Sequence, residues 1–404
     1  MKYGGLGAGV LLLIALAMPA GAQSTSGGNT LNLDWDNKPV IRSAGGKFVI
    51  KLKGRVFLDH AWVNDRDNTI NLNASEFRTA RVGVDGGYGN KIAFRFTADF
   101  ARKKVTYKDI YIAWKGPIEI KGGHFKLPPS FDEATSSRFT DVMERSGYSD
   151  AFAFGRQFGI TLTRASDKGL FAVGVFRGGF AGSGDHTGFK FTVRATRAIP
   201  AGEATVHLGA GFRYRETGDN QSNFQYRERA FQHLAPRFLN TSRIADADTF
   251  FGFEAGVFKG PFSLYGELGF MKAQLAAPAV GQKDPAFWGG YINAGYFLFG
   301  GSPTYNAKKG ALDRPKVTTS VLKGGRGALQ LVVRYDHIDL VDAGIFGGIQ
   351  KTFIIGANWW LSGHIKVAVN YSHSNIARAL LVAANGTDGA NAVNAFGIRT
   401  QIDW

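Results

Sequence analysis

Phe48-Val49-Ile50-Lys51-Leu52-Lys53-Gly54-Arg55-Val56-Phe57-Leu58 is the stretch on which the reading of the fold turns. Phe48, Ile50, Leu52, Val56 and Leu58 fall on one face, and Lys51, Lys53 and Arg55 on the other. A period of two means a strand whose faces meet unlike surroundings. The pattern returns at 92–100, where Ile92, Phe94, Phe96, Ala98 and Phe100 oppose Arg95, Thr97 and Asp99. It returns again in Ile118-Glu119-Ile120-Lys121 and in Phe189-Lys190-Phe191-Thr192-Val193-Arg194.

About sixteen such segments follow one another: 48–58, 76–86, 91–100, 106–115, 117–125, 157–164, 169–177, 187–197, 203–215, 249–259, 261–271, 288–299, 327–337, 351–360, 364–374 and 393–404. Short links such as 86–90, 115–117 and 199–202 alternate with long ones at 59–75, 126–156, 216–248, 272–287 and 375–392. An even number of alternating strands, joined by turns at one end and loops at the other, is the plan of a transmembrane barrel. Residues 300–326 break the rhythm, being a long link where a short turn is due. The link between the third and fourth segments is short for a loop. The last segment puts Phe396, Ile398, Thr400, Ile402 and Trp404 on one face and ends on an aromatic residue.

The chain begins with Lys2, an apolar run over 10–18, Pro19 and Ala20-Gly21-Ala22-Gln23. This is the layout of a secretory signal peptide cut after Ala22. The expected organisation is therefore a signal peptide at 1–22, a polar extension at 23–47, and one barrel domain at 48–404. Past residue 22 no apolar run reaches the roughly 20 residues a membrane helix needs. Only a closed barrel then satisfies every backbone group inside a bilayer. With 54 Gly, 33 Phe and no Cys, the composition suits a secreted envelope protein that does without disulfides.

The formal net charge of +16 is spread along the chain and forms no blocks. A Lys or Arg facing lipid at mid-depth costs roughly 2–4 kcal/mol. The apolar phase accordingly turns Lys51, Lys53, Arg55, Arg95, Lys121, Lys190, Arg194, Arg213, Arg215, Arg334, Lys366 and Arg399 toward the lumen. Fewer carboxylates share that face: Asp99, Glu119, Glu254, Glu267, Asp336 and Asp403. Such a lumen concentrates anions. The competing reading is that these charges form neutral pairs that only pack the interior. The eight His residues are scattered without metal-ligand spacing, and there is no nucleophile elbow and no phosphate-binding loop. The chain is thus expected to be neither an enzyme nor a metal or cofactor protein, and to bind no nucleic acid.

Gly122-Gly123-His124-Phe125-Lys126-Leu127-Pro128-Pro129-Ser130, then Ala134-Thr135-Ser136-Ser137-Arg138-Phe139 and Met143-Glu144-Arg145, resemble the phosphate-selective porins O and P. Further similarity lies in 48–55, in Glu76-Phe77-Arg78-Thr79-Ala80-Arg81, in Arg334-Tyr335-Asp336 and in Gly356-Ala357-Asn358-Trp359. The resemblance implies an outer-membrane barrel of sixteen strands, usually a homotrimer, with a third loop (here 126–156) folded into an anion channel. It implies that Arg55, Arg78 and Arg145 belong to the channel's arginines. Three positions depart from the phosphate-specific pattern: Thr79 replaces the second of a paired arginine, Glu133 replaces a lysine, and Lys108 replaces an acidic residue. Strand parity is awkward at Arg78, since Val82 and Val84 share its phase, and a bulge is needed there.

The expected site is a basic passage formed by Lys51, Lys53, Arg55, Arg78, Arg95, Lys108, Lys121, Arg138 and Arg145. Its expected ligands are phosphate or similar small anions. Other small organic or polyphosphate anions are the alternative, and a barrel with no transport role is a third reading. Arg243, in the connection 216–248, is expected to lie away from the passage.

Overall fold

The computed structural model describes residues 32–34, 40–43, 45–101, 105–178, 188–218, 223–380 and 389–404. Sixteen antiparallel strands carry the architecture. They are β1 Phe48–Asp65, β2 Asn71–Tyr88, β3 Ile92–Asp99, β4 Thr106–Trp114, β5 Glu119–Phe125, β6 Gln157–Ser166, β7 Gly169–Arg177 and β8 Phe189–Ala201. The second half comprises β9 Ala204–Glu216, β10 Arg237–Lys259, β11 Phe262–Leu275, β12 Ala286–Phe299, β13 Ala328–Asp342, β14 Ile345–Trp360, β15 Ile365–Ala379 and β16 Asn391–Asp403. Each pairs with the next. The ring closes where β16 meets β1, from Val393 opposite Asp65 to Asp403 opposite Arg55. Closure removes the open edges that a flat sheet would expose.

All sixteen segments read from the sequence are strands, yet many strands run further. β1 continues to Asp65 and β2 begins at Asn71, so most of the expected loop 59–75 is a hairpin. Beyond the apolar band nothing requires alternation, and the sequence signal fades while the hydrogen-bond ladder goes on.

The outer wall is apolar, with Phe77, Ile112 and Phe253 more than half exposed. Exposed Tyr88, Trp114, Tyr296 and Trp359 lie near the short-turn end, and Trp62, Phe396 and Tyr371 form a row nearer the other. These two levels correspond to the aromatic belts of a bilayer. At the β1–β16 seam the Trp404 ring lies over Gly54, where a Cβ would come within 2.1 Å of it. The two residues also exchange backbone hydrogen bonds of 3.1 and 3.2 Å.

The bulge needed at Arg78 is present. The β1–β2 register shifts between Phe57, opposite Thr79, and Leu58, opposite Phe77. Arg78 is the extra residue, so it reaches the interior although Phe77 beside it faces outward.

Two segments occupy the interior. Residues 126–156 contain two short helical turns, α1 Phe131–Ala134 and α2 Gly147–Ala151, and lie against the inward faces of β8 to β16. Phe131 packs on Phe258 and Tyr265, and Tyr148 and Phe154 pack on Phe250. Glu267 accepts from the backbone of Phe131 and Asp132 at 2.6 and 2.7 Å, and Asn370 accepts from Met143 at 2.6 Å. The wall is cut to fit: a Cβ on Gly211 would meet the Pro129 carbonyl at 2.1 Å, and one on Gly289 would press on Tyr148.

The second segment is a hairpin, Gly301–Asn306 with Ala311–Val317, which fills the long link 300–326. Arg194 donates to the carbonyls of Lys309 and Gly310, Tyr305 bonds His207 at 2.7 Å, and Arg314 pairs with Asp403.

The signal-peptide region 1–22 lies outside the described residues. Within 23–47, Val40–Arg42 form a short strand on the start of β1, with Val40 opposite Lys51. No helix among the described residues is long and apolar enough to cross a membrane.

Candidate functional site

The filling of the barrel is lopsided. Loop 126–156 and the 301–317 hairpin seal the half formed by β8 to β16. Between the loop and the wall of β1 to β6 a cavity of about 2000 Å³ remains. Among the described residues, 21 Lys and Arg side chains line it against 8 Asp and Glu; carboxylates just outside the lining, such as Asp99, Glu254 and Asp403, pair with some of these cations, and a basic excess remains.

Eight of the nine expected site residues border this cavity: Lys51, Lys53, Arg55, Arg78, Arg95, Lys121, Arg138 and Arg145. Lys108 is not brought to it. The β3–β4 register shifts between Phe96, opposite Ile110, and Ala98, opposite Tyr107, and Lys108 sits at that irregularity, while Asp109 next to it faces in. Arg243, expected elsewhere, also lines the cavity, because the start of β10 belongs to its outer wall; it donates to the Asn223 carbonyl at 2.9 Å.

Most of the cations are matched. On the wall, Asp85 receives Lys53 at 2.6 Å and Arg95 at 2.6 and 2.9 Å, and Glu119 receives Lys121 at 2.9 Å. Arg81 bonds Asp99 at 2.9 Å and Arg156 bonds Asp109 at 2.8 Å. Between wall and loop, Arg78 grips Glu144 through two bonds of 2.9 and 3.1 Å. Within the loop, Glu133 bridges Lys126 and Arg145, the second at 2.6 Å. Arg138 reaches Asp403 at 3.1 Å.

Arg55 differs. Its guanidinium donates to Ser137 Oγ at 3.1 Å and has no carboxylate within 4 Å among the described residues. A planar fork of donors with no anionic partner suits an arriving oxyanion.

Charge states in the loop follow from the same contacts. Burial alone would raise the Glu144 carboxyl, but Arg78 and Arg399 outweigh it and hold it well below the usual carboxylate range. Burial lowers Lys126 to about 7; Glu133 opposes the shift, while Arg145 and Arg156 add to it. Asp141 is raised by burial despite donors from Gln330 and Tyr265.

The inward cations of β8 to β16 have another fate. Arg213, 0% exposed, bonds Asp248 at 3.0 Å and the Phe152 carbonyl at 2.7 Å. Arg194 forms two 2.7 Å bonds to Glu254, and Arg399 pairs with Asp59 at 2.8 and 2.7 Å. Here the competing reading of neutral packing pairs describes the structure, and these arginines mainly hold the loop and the hairpin in place. Sequence reasoning passed over Arg81, Lys126, Glu133 and Arg156 as site residues. The phase of Val82 and Val84 already pointed Arg81 inward. The other three are at or within the loop, where no periodicity tells inside from outside. No group of three or more His, Asp or Glu among the described residues could hold a metal ion.

This closed barrel, with loops inside it and an apolar belt outside, has the architecture of an outer-membrane porin. Residues 50–404 match the family described as phosphate-selective porin O and P, and the chain belongs to that family. An uncharacterized protein of Caulobacter vibrioides is 27% identical over 412 residues, 98% of this chain and 81% of that protein. Among solved structures, the anion-selective porin from Comamonas acidovorans aligns with a TM-score of 0.57 and 14% identity, covering 88% of this chain and all of that one. The trimer form of OmpT, an outer membrane protein of Vibrio cholerae, gives 0.54 at 12% identity, over 88% of this chain and 99% of that one. Family and fold make the chain an outer-membrane channel rather than an enzyme.

Proposed function

We propose that the cavity between β1–β6 and loop 126–156 is an anion-selective diffusion path for small anions, phosphate among them, and that the chain works as a homotrimer after removal of residues 1–22. The observation that carries this reading is the basic excess along the cavity, with Arg55 unmatched where loop and wall face each other. An anion passing Arg55 gains charge-assisted hydrogen bonds. The carboxylates nearby keep those bonds weak enough for release, as conduction requires. The family's phosphate selectivity supports phosphate as a permeant.

Planar-bilayer recording in a potassium chloride gradient tests it. The reversal potential should have the sign of chloride permeation, and added phosphate should reduce chloride current. A potential of the opposite sign overturns the proposal. A purely structural barrel would give no discrete conductance steps. Organic anions or polyphosphates that block more strongly than phosphate would move the substrate class to them.

A further inference from the structure

Glu133 is unlike the other carboxylates of the passage. Glu144 is tied to the wall through Arg78 and Arg399, and Asp85 and Asp99 lie on wall strands beside their partners. Glu133 sits on the loop side, in α1, and its two oxygens are divided between Lys126 Nζ and Arg145 Nε. That leaves a negatively charged, trigonal group seated between two cations at the edge of the cavity. An oxyanion would adopt the same position.

The two cations do not depend on that carboxylate for their placement. Lys126 Nζ also donates to the backbone carbonyl of Glu133 at 2.6 Å. Arg145 donates to the carbonyls of Asp132 and Thr135, the latter at 2.9 Å. The turn itself is held by Ser130, whose Oγ accepts from the Glu133 backbone at 3.1 Å. Neutralising the side chain would therefore leave Arg145, and Lys126 wherever the pH keeps it protonated, bordering the cavity without a counter-charge.

We infer that Glu133 acts as a tethered occupant of an oxyanion site, and that it sets how strongly the passage holds phosphate. The inference rests on the anion-channel reading above and adds its selectivity-determining residue. With Glu133 ionised, an entering phosphate meets Lys126 and Arg145 already satisfied, and Arg55 is the free guanidinium at the loop–wall contact. Retention is then weak and passage fast. With Glu133 replaced by a neutral side chain, the donors that its carboxylate occupied are open to a passing oxyanion.

The test is phosphate block of chloride current through wild type, Glu133→Gln and Asp150→Asn. Asp150→Asn removes the same charge from the cavity lining, but at α2, where Asp150 pairs with Arg237 and not with either cation of the bridge. Glu133→Gln should reach half-block at a phosphate concentration about tenfold lower, the worth of one added charge-assisted hydrogen bond. Asp150→Asn should stay close to wild type. Folding is checked by circular dichroism and by heat-modifiable electrophoretic mobility; if the amide disturbs α1, Glu133→Ala must shift block in the same direction. Unchanged or weaker block in the Glu133 variants overturns the inference, as does an equal shift in Asp150→Asn, which would make the effect one of overall charge. A cation-selective wild type would instead sink the channel reading itself.

Discussion

Lys126 leaves β5 where loop 126–156 begins, and burial there lowers its pKa to about 7, helped by Arg145 and Arg156 and opposed by Glu133. A base lowered in this way is charged below about 7 and neutral above it, so the passage loses one positive charge as pH rises through that value. In potassium chloride the anion preference should therefore decline between a unit below and a unit above about 7. Lys126→Arg should flatten the decline, because a guanidinium keeps its proton throughout. If Lys126→Arg shows the same decline, another group carries it. Side chains on strands were legible in the sequence because lipid forbids charge on one face: the phase alone turned Lys51, Lys53, Arg55 and Arg95 inward. Their partners were not legible. Arg78 meets Glu144 across 66 positions, and nothing in the local pattern announces a contact closed by the fold of a loop.

Loop 126–156 is held by polar anchors as much as by its phenylalanines. Asp141 is a buried one, accepting from Gln330 at 2.8 Å, Asn293 at 3.0 Å and Tyr265 at 3.1 Å. In Asp141→Ala those three donors lose their acceptor, and each buried unsatisfied donor costs about 1–3 kcal/mol. The loop should then leave its seat for part of the time, giving larger and noisier single-channel steps than wild type. Steps of unchanged size would show that the aromatic contacts of Phe131 and Tyr148 are sufficient on their own. The sequence identified the loop by its length and its aromatic content. It did not disclose the hairpin at 301–317, where Gly301, Pro303 and Asn306 interrupt any alternation and the segment looked like a long link. The hairpin's stability comes from tertiary partners, the Arg194 bonds to its tip and the Tyr305–His207 contact, neither of which is encoded locally.

Across the whole barrel, inward arginines divide into two populations according to what faces them. Where the loop and the hairpin cover β8 to β16, the buried arginines are each paired with a carboxylate, since an uncompensated buried charge is strongly destabilising. On β1 to β6 the cavity admits solvent, and Arg55 can stand without a carboxylate because water and passing anions solvate it. The same residue type should therefore give opposite phenotypes on the two sides. Arg213→Ala removes a fully buried bond to Asp248, the bond to the Phe152 carbonyl and the contact with the Phe154 ring. Loss of one partner of a buried pair costs about 3–5 kcal/mol, with the low end expected here because Asp248 keeps Arg215. Its urea midpoint, followed by heat-modifiable mobility, should fall, while the ion selectivity of correctly folded channels stays near wild type. Arg55→Ala should assemble normally. Removing one unit charge near a permeant ion is worth about 1 kcal/mol at 4 Å in water-like surroundings, so its anion preference should drop by about fivefold. A stability loss in Arg55→Ala with unchanged selectivity would mean that the permeation path does not run along the β1–β6 wall.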